Sequence, residues 1–225
     1  MRGVQIKLIV LLLAAGSYAQ AQHHHHEHQP SKPTELLEGL GNHAHPIATD
    51  SALAQKFFDQ GLALIFGFNH DEAARLFARA SELEPKSPMP HWGIALALGP
   101  NYNLPPMPER EEKAWRAIAK AKELATNAPE NERAYVEALV TRYSKDPHED
   151  RHKLAVAYKD AMKEVKECYP DDLDAATLYA EALMNLRPWQ LWTADGLPAE
   201  GTLEIVEVLE NVLRRDPNHP GANHY

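Results

Sequence analysis

Cysteine is nearly missing from this chain. Of 225 residues only Cys168 carries a thiol, so no intramolecular disulfide can form and any fold must be held by packing. A long apolar run is missing too: the most hydrophobic stretch, Leu8 to Ala15, falls far short of the roughly 20 residues that cross a bilayer. The sequence has no glycine-rich phosphate loop, no nucleophile elbow and no dinucleotide fingerprint, which removes the commonest nucleotide-binding and hydrolase chemistries. Positive charge is in deficit. With 23 basic against 32 acidic residues the formal net charge is −9, which suits neither nucleic acid nor an anionic membrane.

What is present starts with a leader. Arg2 and Lys7 form a basic region, Leu8 to Ala15 an apolar one, and Ala19-Gln20-Ala21 a small-x-small cleavage site, the pattern of a secretory signal peptide over residues 1–21. Cleavage before Gln22 removes two basic residues and takes the charge from −9 to −11. The mature chain is expected to be periplasmic or secreted, with no membrane anchor.

Residues 22–49 carry HHHHEHQPSKP and later HAHP with no sustained period, and they read as a largely disordered arm. Within it His23, His24, His25, His26 and His28 are candidate ligands for copper, nickel or zinc through neutral imidazoles. The alternative is a flexible, solubilising arm with incidental metal affinity.

From Asp50 the sequence becomes helical in period. Gly61, Ala73, Phe77, Ala80 and Pro85 are separated by 12, 4, 3 and 5 residues, with Phe57 four before the glycine. Small residues at these positions let two antiparallel helices approach, and the proline ends the second. Asn69 with Glu72 three residues on reads as a capping box. This ladder resembles the tetratricopeptide repeat. Prolines at 85, 129, 170 and 217 are 44, 41 and 47 residues apart, longer than the ~34 of the plain repeat, so the later hairpins carry insertions.

Apolar spacing places the hairpins at 51–66 with 71–83, 90–98 with 109–125, 130–143 with 151–168, and 173–186 with 202–214. In the second, Ala114, Ile118 and Ala121 repeat the spacing of Ala73, Phe77 and Ala80. The chain stops at NHPGANHY, where a fifth hairpin would begin and no polar cap appears, so it reads as the N-terminal part of a longer solenoid. The phrases FGFNHDEAARLF, HWGIALALGPNYN, LRPWQLW and DPNHPGANHY are similar to those of exported bacterial tetratricopeptide proteins of poorly defined role. That resemblance implies an all-α, right-handed solenoid of about four hairpins whose concave face, built from first helices, holds a protein or peptide ligand.

His148-Glu149-Asp150-Arg151-His152 satisfies the H-E-x-x-H pattern of zinc proteases. Its setting is poor: Pro147 puts it at a helix start, Asp150 and Arg151 fill positions that are usually apolar, and no third ligand is apparent. A solvated turn is the reading adopted, with no catalytic residue assigned. In an antiparallel stack, His70, His148 and His152 share one rim with Tyr102, Trp189 and Trp192, while His91, His219 and His224 share the other with the end of the arm. The insertions GPNYNLPPMP and RPWQLWTADGLPAEG nominate Asn101, Tyr102, Asn103, Trp189 and Trp192 as partner-binding groups; equally, the two tryptophans plug the core of a longer hairpin. The resulting expectation is an exported interaction scaffold that requires no cofactor. A metal-binding protein, using the arm and folded histidines, is the alternative.

Overall fold

Caps and prolines set the ends of the helices. The side chains of Ser51, Asp150 and Asp172 accept backbone N–H bonds at the starts of α1 (Ala52–Phe66), α6 (Arg151–Cys168) and α7 (Leu173–Met184). Proline, which has no N–H to lose in a first turn, opens α3 (Pro88–Leu98), α4 (Pro108–Leu124) and α9 (Pro220–His224). The remaining helices are α2 (His70–Leu83), α5 (Glu130–Val140) and α8 (Thr202–Arg215). These elements belong to a computed structural model that describes residues 34–146 and 148–225. The leader and the histidines at 23–28 lie outside the described residues.

The order is that of the expected hairpins: α1 packs on α2, α3 on α4, α5 on α6 and α7 on α8, with α2 on α3, α4 on α5 and α6 on α7 joining the pairs. The fold is all-α, and among the described residues no regular strand occurs. One relation departs from a stack in which each unit touches only its neighbours. The last helix, α9, packs on α1 as well as on α7 and α8. The Phe66 ring lies 5.4 Å from His219 and 6.2 Å from Tyr225, and Phe68 lies 4.9 Å from His224.

Apolar spacing becomes core as expected, since Ala73, Phe77, Ala80, Ala114, Ile118 and Ala121 are all buried. Phe77 is the wedge of the first three helices. A Cβ on Gly61 would come within 2.7 Å of its ring, and one on Gly93 within 2.5 Å. The ring is therefore clasped between two helix faces that have no side chain there. Asn69 does precede α2, but its side chain caps nothing; the capping box is absent, and the chain enters the helix from a turn in which the Asn69 amide donates to the Leu64 carbonyl at 2.9 Å.

The domain boundary is corrected. Residues 34–49, expected in the disordered arm, form one compact unit with the helices, as an irregular strap whose His45 and Ile47 are buried. Polar side chains on the helices hold its backbone. Gln60 both donates to the Leu37 carbonyl and accepts from the Leu37 amide, at 2.8 and 2.9 Å. Gln55 donates to the His45 carbonyl at 2.8 Å and accepts from the Ile47 amide at 3.0 Å. Asp59 accepts from the His45 amide at 2.9 Å, and Glu132 accepts from Ala48. The burial cost of an irregular backbone is thereby met without a ladder, which is why no strand or helix signal announces it.

Gly61→Leu is expected to drive a side chain into Phe77 and to destabilise the protein by about 1–3 kcal/mol, measured by chemical denaturation. Lys86→Ala, at an exposed turn, serves as the near-neutral control.

Candidate functional site

Two helix N-termini and the strap meet at one carboxylate. Asp172 caps α7, so Asp174 falls in the first turn of that helix, where the exposed N–H groups favour a negative charge. His219 caps α9, its Nδ1 accepting the Ala222 amide at 3.2 Å. Gly221 permits the approach, because a Cβ there would lie 2.6 Å from both Phe66 and Thr177. On the strap, His43 and His45 are two residues apart, and both rings reach the same carboxylate.

All three imidazoles converge on Asp174. His219 Nε2 donates to Oδ1 at 3.1 Å, and His45 Nδ1 donates to Oδ2 at 2.8 Å. His43 Nε2 lies 3.0 Å from Oδ1, but it is turned off the hydrogen-bond direction and has no other partner. Asp174, His45 and His219 are buried. Behind them, Tyr135 donates to Asp172 Oδ2 at 2.7 Å and stands edge-on to the His45 ring at 5.3 Å. Phe66 packs edge-on to His43 at 5.6 Å. The open side is a cavity of about 930 Å³ bordered by residues 40–46, 171–174, 216 and 218–220.

The charges follow from this geometry. Burial pushes the Asp174 carboxyl up, but the His219, His43 and His45 imidazoles outweigh it and hold the group well below the usual carboxylate range. Burial would lower His45; its bond to Asp174 and the nearby acidic charges win and raise it. Burial dominates at Asp59 and Glu132, whose carboxyls are raised despite the strap amides they accept. The arrangement contains two sets able to hold a metal ion, His43 with Asp174 and His219, and His45 with Asp172 and Asp174.

Several sequence expectations are redistributed. His219 meets the strap at His43, their ring centroids 5.2 Å apart, whereas His91 is half-buried on α3, its pKa lowered by burial. The H-E-x-x-H pattern does not lie on one helix: His148 and Glu149 precede Asp150, the cap, and of the three pattern-defining residues His152 alone is helical. Asn101 is buried rather than exposed, and its side-chain Oδ1 accepts from the Asn103 amide at 3.0 Å, bracing its own loop. Asn103 is exposed, and Tyr102 is partly covered where it meets the Trp189 ring at 5.2 Å. Trp189 and Trp192 are 75% and 53% exposed, which removes the core-plug alternative. Sequence alone assigns His43 and His45 to a disordered arm and does not bring them to Asp174; their His-x-His spacing is the available signal.

No described protein family, curated protein or solved structure matches this chain. Among the described residues no helix is long and apolar enough to cross a membrane.

Asp174→Ala is expected to leave the imidazoles without their common acceptor and to cost about 3–5 kcal/mol. Urea unfolding measures it, with limited proteolysis reporting release of the strap. Asp171→Ala, at a fully exposed carboxylate paired with Arg215, is expected to change stability by about 1 kcal/mol or less.

Proposed function

We propose that this protein is an exported, tetratricopeptide-type scaffold of right-handed helical hairpins that binds a protein or peptide through the rim formed by its two long insertions. One observation carries the reading: the insertions meet at Tyr102 and Trp189, and they present two large aromatic rings to solvent. The loop that bears them is internally braced. Ala199 donates to the Leu191 carbonyl at 2.9 Å, Thr202 Oγ1 to the same oxygen at 2.6 Å, and Thr193 to the Leu197 carbonyl at 2.9 Å. Trp189 also occupies the left-handed region at φ 62°, a conformation uncommon for residues with a Cβ and concentrated where structure serves recognition. Exposed aromatics on a rigid support make strong interface anchors. The concave face is a weaker candidate, because the strap is already bonded to α1, one of the first helices that would build it. Surplus negative charge disfavours nucleic acid as the partner.

The second reading is a metal-binding protein, with the arm histidines His23, His24, His25, His26 and His28 or the folded histidines as ligands for copper, nickel or zinc. The convergence of His43, His219 and Asp174 favours it.

The scaffold reading is tested with a photo-crosslinking residue at Gln190, between the tryptophans, in full-length exported protein. A dominant adduct is expected, falling at least about tenfold in the Trp189→Ala, Trp192→Ala variant, while stability changes by about 1 kcal/mol or less, as for exposed positions. Equal capture by the variant would remove the rim as the binding surface.

A further inference from the structure

We propose that His43, His219 and Asp174 form a mononuclear site for a borderline divalent cation of the zinc type, with His45 orienting the carboxylate and one coordination position open to the cavity. The inference rests on the metal-binding reading and assigns it a place outside the arm. The ligand atoms are two imidazole nitrogens and one carboxylate oxygen, all within 4.8 Å of one another. Both Nε2 atoms lie 3.0 and 3.1 Å from Asp174 Oδ1, close to the ~3.3 Å edge of a tetrahedron built on bonds of about 2.0–2.1 Å. His43 Nε2 has no hydrogen-bond partner where it stands, so a cation gives that buried nitrogen its partner.

The surroundings fit the same role. His45 engages Oδ2 at 2.8 Å and leaves Oδ1 for the ion, the work of an outer partner that fixes a ligating carboxylate. The Phe66 ring and Tyr135 close one side, and the 930 Å³ cavity leaves the other accessible to a water ligand. Three protein ligands and an open fourth position are the pattern of a reactive rather than a sealed structural centre. Carboxylates of Asp59, Asp172 and Asp174 supply negative charge around a dication. His219 imposes one exchange. Its Nδ1 accepts the Ala222 amide at 3.2 Å, so without a cation the proton sits on Nε2. Coordination through Nε2 moves the proton to Nδ1 and gives up that long cap. The ion thus ties the strap to α7 and α9 while loosening the first turn of α9.

The test uses the full chain and a full-length variant in which His23, His24, His25, His26 and His28 are asparagine, so that the arm's own affinity is removed. Zn²⁺ is titrated calorimetrically and Co²⁺ by its visible absorption. The arm variant is expected to retain about one equivalent, to give the intense absorption of four-coordinate cobalt, and to show amide exchange slowed about tenfold at His45 and Ile47 and accelerated at Ala222. In that background His43→Gln and His219→Gln should each weaken binding at least about 100-fold, and His45→Gln about tenfold. Asp174→Asn should abolish it; should that variant misfold, His43→Gln on the strap decides the matter. An arm variant that binds no Zn²⁺ overturns the site, and a full chain that also binds none overturns the metal reading with it. An equivalent retained with unchanged affinity after His43→Gln and His219→Gln overturns the site alone.

Discussion

A carboxylate withdrawn from water must be compensated locally or it gives up its charge, and Asp174 is compensated from both ends of the described chain. The strap brings His43 and His45, the approach to α9 brings His219, and the first turn of α7 adds its own N–H groups. The closing of α9 on α1 follows from this convergence. Phe66 at the end of α1 touches both His43 and His219, so the ring that seals the polar group also joins the first helix to the last. Polar knot and apolar seam are one junction, and a change in either is felt by the other.

The strap sits differently from a strand or helix because its backbone is paired with side chains. Gln55 and Gln60 each offer one amide as donor and acceptor to the passing chain, the two-way pairing that a neighbouring strand would otherwise give. Such pairing carries little sequence information beyond Ile47 and the two histidines, which occupy fitted positions. It ties the strap to α1 through Gln55, Asp59 and Gln60 and to α5 through Glu132. The exposed rings of Trp189 and Trp192 lie away from it, on a loop braced by its own hydrogen bonds.

Helices were legible wherever the signal was local. Gly61, Ala73, Phe77 and Ala80 announce a close-packed pair through spacing alone, and the structure adds that Gly93 supplies the second half of the Phe77 clasp. Starts at Glu130, Arg151, Leu173 and Thr202 agree with the periodic reading. The failures share a cause: each depended on contacts made far away in the chain. Asn69 carries the right residue for a cap, but the turn back to Leu64 sets its backbone and leaves its side chain uncoupled. Asn101 looked like an exposed loop polar group, yet it sits in an isolated bridge with Leu104 that turns it inward. His45 meets Asp174 across 129 residues of sequence, a separation that no periodicity spans.

The proposed ion would relieve a mismatch at the polar centre. Without an ion, Asp174 Oδ1 has His219 as a well-aligned donor and His43 as a neighbour at 3.0 Å that makes no hydrogen bond. A cation removes that mismatch, since coordination needs the nitrogen lone pair to face the ion and does not need a proton on the line to oxygen. The strap is otherwise held by side-chain bonds at its backbone and by the burial of Ile47, while the residues from 40 to 46 border open cavity. Its docking is therefore the part of the fold whose stability an added ion can change most, while the helix pairs, closed by Phe77, Trp92 and Tyr158, keep their packing in either state.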